Sequence, residues 1–580
     1  MRRRVYACTL TRPASFMRAL PRFAAGFILV LALGGLGRAQ VFDTVPPAGP
    51  GGFPVACSNV EQDFSRVAPG ASVESYWEGS APDGGFVTNL LVDPADAFVV
   101  DVTLPGDGEL FGDFANDTLA FAAIVCYPTS AANPRPDYPL PNGKRVPHMQ
   151  RDGEAPIFPD ATTRFPVLLF SHGLGGSPLS SDYLDALTLF ASYGYVVVAP
   201  FHGDARISSV DISTLSDVVD AVLHFSNYTA LQAVRPFALR AELDALLGQP
   251  AFAQHVDPNA VGGFGASLGG ESLLLMRGAR LTVSPGLSSK TVMNDARLKA
   301  AVGYVPYFGQ LILPAFGRDQ EGLHDVTMPY LAIAGGADIT APAPVTALGM
   351  EQLTGVRQFV LLEGVQHGFD VQSAPDIFTW SLTFLASYVV DDPLARAASA
   401  RMTNVEGGGN DVLLLDRFAP LPPGPGESLA IEYYNPALDH YFMTADAREV
   451  AVLDTQQIPG WYRTGYTFKV YVPDAGLGVP ACRFFGKPGV GPNSHFFTIL
   501  PNECEDVLRN PLWIFEGLVF RVDAPDAAQM CPADRVPVVR MYNNGKGGQA
   551  NHRYLTSHSE IGVMLGEGWI VEGTVFCSLP

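Results

Sequence analysis

The chain has 580 residues, 47% of them hydrophobic, with 37 basic and 58 acidic residues and a net charge of −21. This length predicts two or three domains with sizeable cores, and the composition excludes global disorder. Nucleic-acid phosphates and anionic membrane surfaces repel so acidic a chain, so we expect neither as a partner.

Residues 1–39 have the features of a bacterial secretory signal peptide. They contain seven arginines and no acidic residue, then an apolar run of 15 residues at 23–37, and they end at the small residue Ala39. A membrane-spanning helix needs about 20 apolar residues, so we expect cleavage after Ala39 and export, without stable insertion into a membrane. Loss of the seven arginines changes the net charge to −28, and the mature protein is predicted to be extracellular or periplasmic.

Six cysteines remain once Cys8 leaves with the signal peptide, and an even number predicts disulfide bonds in an oxidising compartment. Two lie before residue 130, so we expect Cys57 to pair with Cys126. The other four, which leave three pairings open, are Cys482, Cys504, Cys531 and Cys577. The chain has no C-x-x-C pair, so we expect no zinc or other metal site.

An α/β domain is predicted for residues 40–403. Its continuous apolar runs, separated by helical patterns such as that at 211–225, are typical of buried parallel strands with helices on both faces of the sheet. These runs lie at 165–171, 194–200, 259–265, 298–306, 328–336 and 357–364. Residues 40–150 are expected to form an N-terminal extension that edges or caps the domain, and the Gly- and Pro-rich segment 404–427 is expected to be a linker.

The remainder of the chain, residues 428–580, contains one motif three times. Each copy has a histidine, an aromatic strand, a short acidic helix, a tryptophan and a closing strand after a glycine. The histidines are His440, His495 and His552, at intervals of 55 and 57 residues, and the tryptophans are Trp461, Trp513 and Trp569. Because one unit cannot bury its own apolar face, a small, mainly β domain of three packed units is predicted.

These copies resemble the short tandem repeats of unknown function at the C-termini of secreted bacterial hydrolases. In that repeat pattern Cys482 and Cys504 fall within one unit, which implies that they pair and leaves Cys531 for Cys577. The repeats are expected to tether the chain to a polymer or a cell surface through exposed tryptophans, with core packing of the tryptophans as the alternative.

The stretch GGFGASLGG at 262–270 predicts a reactive serine. Ser267 stands in a G-x-S-x-G motif that follows the apolar run at 259–265 and precedes an apolar helical pattern. A nucleophile elbow has this strand–turn–helix context, because only small neighbours fit around a serine on so tight a turn. The alternative is a glycine-rich turn whose serine takes no part in chemistry.

An acid and a base follow two later strands. Asp338 comes after the run at 328–336, and His367 comes after the run at 357–364. Acyl transfer by a serine needs a base to deprotonate the hydroxyl and an acid to orient the base. The chain order Ser, Asp, His is that of α/β-hydrolases.

Other side chains compete for these two roles. Asp370 is a neighbour of His367 on the same loop and is poorly placed to reach its Nδ1, whereas Asp325 precedes its strand. His172 and His202 follow earlier strands, where we expect them to shape the site. A purely structural role is the alternative for His367.

Two backbone N–H groups are predicted to form an oxyanion hole. One belongs to Leu268, directly after the serine. The other lies in the loop SHGLGG at 171–176, where the α/β-hydrolase fold places a second donor. We expect it to be the N–H of Leu174, with Gly173 as the alternative.

Residues 50–400 resemble an α/β-hydrolase near the platelet-activating-factor acetylhydrolase and cutinase-like polyester hydrolase branches. The segments that carry the resemblance are FPVLLFSHGLGG, GYVVVAPFHGD, GFGASLGG, GGADITAP and GVQHGFD. The resemblance implies hydrolysis of carboxylic esters without a cofactor, through an acyl-serine intermediate. The residues it assigns are the triad Ser267, Asp338 and His367 and the oxyanion donors Leu174 and Leu268.

We therefore expect a secreted serine esterase whose substrate is a small, lipid or polymeric ester. The residue before the serine is Ala266, whereas these families often have His or Tyr there, so the sequence does not assign the chain to one of the two branches. One alternative is a peptidase or acyltransferase that uses the same triad. The other, from a different class, is a non-catalytic secreted binding or adhesion protein.

Overall fold

The computed structural model describes residues 42–67, 69–79, 85–151, 153–208, 224–369, 372–407 and 410–580. The predicted signal peptide, most of the helical pattern at 211–225 and the competing Asp370 lie outside these ranges. Within them, no helix combines the length and the hydropathy needed to cross a membrane.

A ten-stranded mixed sheet is the centre of the first part of the chain. The strands up to residue 417 are β1 (Asp43–Val45), β2 (Val55–Cys57), β3 (Phe98–Thr103), β4 (Thr118–Pro128), β5 (Tyr138–Pro139), β6 (Arg145–Val146), β7 (Phe165–Ser171), β8 (Val196–Phe201), β9 (Val256–Ala266), β10 (Arg280–Thr282), β11 (Ser289–Thr291), β12 (Leu298–Tyr304), β13 (Gly309–Gln310), β14 (Leu313–Pro314), β15 (Tyr330–Gly335), β16 (Arg357–Leu362), β17 (Met402–Val405) and β18 (Asp411–Arg417). Six neighbouring strands, in the order β16-β15-β12-β9-β7-β8, are parallel. Each of the six predicted apolar runs overlaps one of them.

Helices cover both faces of this sheet. They are α1 (Val73–Glu78), α2 (Gly85–Leu90), α3 (Gly108–Phe111), α4 (Ser181–Ser192), α5 (Phe225–Gly248), α6 (Pro250–Ala253), α7 (Leu268–Met276), α8 (Ala343–Gln352), α9 (Ala374–Tyr388) and α10 (Pro393–Arg401). Residues of α5, α7 and α8 belong to one apolar core and residues of α4 and α9 to another. Alternate side chains of β7 enter the two cores, Val167 and Leu169 the first, Leu168 and Phe170 the second. This mixed α/β architecture is compatible with an α/β-hydrolase.

The N-terminal extension enlarges one edge of the sheet. Strand β4 pairs antiparallel with β8, and both β2 and β3 pair with β4. Cys57 lies opposite Cys126 in this register, and the two form a disulfide.

The segment predicted as a linker, 404–427, enlarges the other edge. Strand β18 lies inside it and pairs antiparallel with β16. Glycine and proline on both sides of this strand favour a linker by composition, but Leu415 packs against the first apolar core and Leu413 is buried in the second. The sheet therefore extends beyond residue 403.

The C-terminal region is β-rich and repeats the order strand, strand, helix, strand three times. The elements are β19 (Glu427–Asn435), β20 (His440–Thr444), α11 (Ala447–Asp454) and β21 (Tyr462–Tyr471); β22 (Val479–Gly486), β23 (His495–Thr498), α12 (Pro501–Arg509) and β24 (Trp513–Val522); and β25 (Val536–Tyr542), β26 (His552–Leu555), α13 (His558–Gly566) and β27 (Ile570–Ser578). Disulfides join Cys482 to Cys504 and Cys531 to Cys577, the pairs that the repeat resemblance implies. Trp569 is buried, so it is not available to stack on a surface.

Ion pairs join successive units. Glu449 on α11 accepts hydrogen bonds from Arg483 on β22 at 2.7 and 2.8 Å. Glu503 on α12 accepts two from Arg540 on β25, both at 3.0 Å. Each helix of the first two units therefore binds the first strand of the next unit.

The third junction uses the opposite arrangement of charge. In the first unit Glu432 occupies the strand position that Arg483 and Arg540 occupy in the other two. Arg553 on β26 donates to Glu432 at 2.9 Å and also contacts Glu560 on α13. The third unit is thereby joined back to the first, and the three units form a closed ring.

The two regions touch through Asp416 of β18. Its carboxylate accepts hydrogen bonds from the hydroxyl of Ser557 and from the backbone N–H groups of His558 and Ser559, at 2.8 to 3.0 Å. These N–H groups open helix α13, which has no earlier carbonyl to accept them. An edge strand of the large sheet thus caps a helix of the third repeat unit.

Candidate active site

Ser267 lies on a strained turn between β9 and α7. Its φ of 53° and ψ of −119° are outside the regions that L-residues ordinarily adopt. At the two glycine positions of its motif, the neighbouring backbone leaves no room for a side chain. A Cβ on Gly265 would lie 2.3 Å from the carbonyl of Gly269, and a Cβ on Gly269 would lie 1.9 Å from the carbonyl oxygen of Ser171. Close backbone packing therefore explains both glycines.

His367 lies between Ser267 and Asp338. Its Nε2 is 3.0 Å from Ser267 Oγ, and its Nδ1 is 2.7 Å from Asp338 Oδ2. The other carboxylate oxygen accepts hydrogen bonds from the N–H groups of Thr340 and Ala341, both at 2.8 Å. Because the fixed carboxylate accepts from Nδ1, that nitrogen carries the proton and Nε2 is left to accept one from the hydroxyl.

The competing residues take other positions. Asp325 is exposed and pairs with Arg280 at 3.1 Å. His172 and His202 are buried beside the loop that follows β7. In the described part of the chain, neither histidine is hydrogen-bonded to Ser267.

His172 and His202 instead hold that loop. The backbone N–H of His202 donates to His172 Nε2 at 3.2 Å, so His172 Nδ1 carries the proton and donates to the carbonyl of Gly173 at 2.8 Å. Burial, followed by the charge of Arg235, lowers the pKa of His172 to about 4, so it is neutral near pH 7. His202 Nε2 lies 2.9 Å from the hydroxyl of Ser171.

The N–H groups of Leu268 and Leu174 have no hydrogen-bond acceptor among the described residues. Leu268 is the first residue of α7, where backbone N–H groups lack a partner within the helix. Leu174 lines the same cavity as Ser267. The N–H of Gly173 is already used, because it donates to the hydroxyl oxygen of Tyr183 at 3.1 Å.

A cavity of about 410 Å³ contains Ser267 and His367 in its wall. Three aromatic side chains also line it: the ring centroid of Phe369 is 4.8 Å from that of Tyr304 and 5.5 Å from that of Tyr183. An aromatic wall beside a few polar groups suits the hydrocarbon part of an ester. Among the described residues, no three His, Cys, Asp or Glu side chains are grouped to hold a metal ion.

Glu78 brings a carboxyl group to this cavity from the N-terminal extension. Burial, followed by the charge of Asp204, raises its pKa. Sequence reasoning missed Glu78, which belongs to no motif. Tyr304 and Phe369 were also missed. The only indication in the sequence was their position, because Tyr304 lies near the end of the predicted strand at 298–306 and Phe369 follows the one at 357–364.

Two protein-family models match parts of the chain. Platelet-activating factor acetylhydrolase, isoform II, matches residues 150–221, and the domain of unknown function DUF5648 matches residues 429–579. No curated protein matches the chain. The first match includes the loop of Leu174 and ends before Ser267, and it supports an α/β-hydrolase-like region of the ester-hydrolysing type. The second covers the three repeat units and gives them no function.

Proposed function

We propose that the chain is a secreted serine hydrolase that cleaves carboxylic esters. The observation that carries the proposal is the continuous series of hydrogen bonds from Asp338 through His367 to Ser267, with the serine on a strained turn in a cavity wall. The family match at 150–221 supports esters as the substrate class. The signal-peptide pattern and three disulfides support export.

The first half of the reaction acylates the serine. Ser267 Oγ attacks the ester carbonyl carbon while His367 Nε2 accepts the hydroxyl proton, and Asp338 stabilises the imidazolium. The carbonyl oxygen becomes negative and accepts hydrogen bonds from the free N–H groups of Leu174 and Leu268. When the C–O bond to the alcohol breaks, His367 returns the proton to the leaving oxygen.

The second half releases the acid. Water gives its proton to His367 Nε2 and attacks the acyl carbon, forming a second oxyanion at the same two N–H groups. The bond to Ser267 Oγ breaks, the serine regains the proton, and the carboxylic acid leaves. Loss of one oxyanion donor commonly costs about 10²–10³ in rate, so the full rate requires both N–H groups.

The alternatives share the first half of this reaction. A peptidase expels an amine and an acyltransferase passes the acyl group to an alcohol other than water. The purified protein should be tested on p-nitrophenyl esters of increasing chain length, on phospholipids, on polyester film and on peptide anilides, with Ser267→Ala as the blank. We expect ester hydrolysis that the blank lacks. Hydrolysis of anilides alone contradicts the esterase proposal, and no hydrolysis of any substrate supports the non-catalytic alternative.

A tethering role for residues 428–580 is the second part of the proposal. It is supported by the apolar side chains of Leu512, Ile514 and Phe515 in the second unit, which are 43 to 45% exposed. The full chain should leave solution in the presence of polyester film, and Ile514→Ser/Phe515→Ser should reduce this adsorption without changing the hydrolysis of a soluble ester. Equal adsorption of both proteins contradicts the tethering role.

A further inference from the structure

Arg235 is a buried cation on α5, beside the loop that carries Leu174. Its side chain is 0% exposed and pairs with Asp204, whose side chain is 3% exposed. The guanidinium Nε lies 3.0 Å from Asp204 Oδ1, and Nη2 lies 2.5 Å from Oδ2. Removing two charges from water is costly, and an apolar pair of similar volume is often at least as stable. Stability alone therefore does not explain this pair.

The same guanidinium binds two consecutive carbonyls of the loop. Its Nη1 donates to the carbonyl of His172 at 2.6 Å, and its Nη2 donates to the carbonyl of Gly173 at 3.1 Å. In a planar trans peptide the C=O and the following N–H point in opposite directions. The Gly173 carbonyl is directed at Arg235, so the N–H of Leu174 in the same peptide unit is directed away from it.

We propose that Arg235 is a positioning residue for the oxyanion hole and that Asp204 fixes its guanidinium. The rigid fork sets the orientation of the peptide unit between Gly173 and Leu174, and hence the direction of the donor N–H. This inference rests on the proposed esterase function. Because an oxyanion donor acts where charge develops, its misalignment weakens transition-state stabilisation more than binding of the ester.

The first test is Arg235→Lys. Lysine keeps the positive charge beside Asp204 but has no fork to span two carbonyls. We expect kcat to fall about 10- to 100-fold, less than for complete loss of a donor, because His172 still bonds the Gly173 carbonyl. KM should stay within about threefold, and a trifluoromethyl ketone that mimics the tetrahedral intermediate should lose affinity in parallel with kcat.

Arg396→Lys is the matched control. Arg396 is also buried and also binds backbone carbonyl oxygen, donating to Ser387 from Nε at 3.0 Å and from Nη2 at 2.5 Å, but it is not in the wall of the cavity. Loss of its fork should lower the unfolding temperature and leave kcat and the affinity for the ketone unchanged. The two arginine variants therefore separate positioning from a general loss of stability.

A second pair of variants decides the question if Arg235→Lys does not fold. Asp204→Asn keeps both bonds from the guanidinium to the loop, whereas Asp204→Asn/Arg235→Gln removes the guanidinium without leaving a buried carboxylate unpaired. We expect the double variant to have kcat about 10- to 100-fold below that of Asp204→Asn.

The inference is overturned if folded Arg235→Lys, or the double variant against its single-variant reference, keeps kcat and the affinity for the ketone within about threefold. A loss confined to KM also overturns it. Failure of the wild-type protein to hydrolyse any ester contradicts the proposed function instead, so the two failures are distinguishable.

Discussion

The α/β region and the repeat region use buried charges in different ways. In the α/β region, Asp204 and Arg235 lie beside one loop, next to the cavity that contains Ser267. In the repeat region, a glutamate–arginine pair lies at every junction between units. Examples are Glu449 with Arg483 and Glu432 with Arg553. We infer that the first arrangement orients a site and the second fixes the packing of units. Substitutions in the first region should therefore change rate, and those in the second should change stability.

The largest effect expected is that of Ser267→Ala on the rate. It removes the proposed nucleophile, so kcat should fall by at least about 10⁴-fold, while the unfolding temperature moves by only a few degrees. Ser272→Ala is the matched control, because Ser272 is buried on α7, the helix that follows Ser267, and its hydroxyl donates to the carbonyl of Leu268. Steady-state kinetics and thermal unfolding check both variants. Wild-type rates in Ser267→Ala contradict the assignment.

Asp338→Asn should have the next largest effect. The amide presents a donor where His367 Nδ1–H needs an acceptor, so the imidazole is held in the wrong tautomer and kcat falls by about 10³–10⁴-fold near pH 7. Asp325→Asn, at an exposed acid that pairs with Arg280, is the control and should keep the wild-type rate. A loss shared equally by both variants means that Asp338 does not orient the histidine.

Arg553→Met should separate stability from rate. It leaves the Glu432 carboxylate buried without its cationic partner, and loss of one member of a buried ion pair costs about 3–5 kcal/mol. Hydrogen exchange of repeat-region peptides should speed up accordingly, while kcat for a soluble ester stays at the wild-type value. The control is Arg463→Met, at an exposed pair with Asp454, which should cost at most about 1 kcal/mol. Equal exchange rates in the two variants contradict the ring of junctions.

The smallest effect expected is on the stability of the repeat region in mild acid. Burial, followed by a neighbouring arginine, lowers the pKa of His495 and of His552 to about 3. The unfolded chain takes up protons at these positions below the usual pKa of 6.5, so the stability that the neutral histidines contribute is present above pH 6.5 and is lost as pH falls toward 3. The slope should be at most about 1.4 kcal/mol per pH unit for each histidine.

Hydrogen exchange of repeat-region peptides at pH values from 7.5 to 5, corrected for the intrinsic rate, measures this slope. His495→Gln should flatten it, whereas His324→Gln, at an exposed position, should not. A slope that is the same in all three proteins assigns the acid sensitivity to other groups.

Much of the sheet was predictable because its strands are continuous apolar runs. The carboxyl ends of parallel strands meet at one edge, so the sequence also predicted that Ser267, Asp338 and His367 lie close together, and the structure brings them within hydrogen-bonding distance. Whether they carry out catalysis stays a prediction.

What the sequence did not predict depends on tertiary contacts. Arg235 reaches the loop from the middle of a long helix, and Glu78 reaches the cavity from the N-terminal extension, so no local spacing relates either residue to the serine. The edge strand β18 was hidden by its glycine- and proline-rich flanks. The repeats show that Glu432 stands where the other two units have arginine. The partner of Glu432, Arg553, was not predictable, because it lies on a different strand of another unit.

The most direct test of the central claim is covalent labelling by diethyl p-nitrophenyl phosphate, followed by mass spectrometry of the proteolysed chain. The compound phosphorylates an activated serine and releases p-nitrophenol, and the adduct is stable enough to locate. The account predicts one phosphoryl group per chain, on Ser267, with loss of esterase activity in proportion to labelling and no label in Ser267→Ala. A protein that hydrolyses esters but stays active and unlabelled, or that carries the label on another residue, contradicts it.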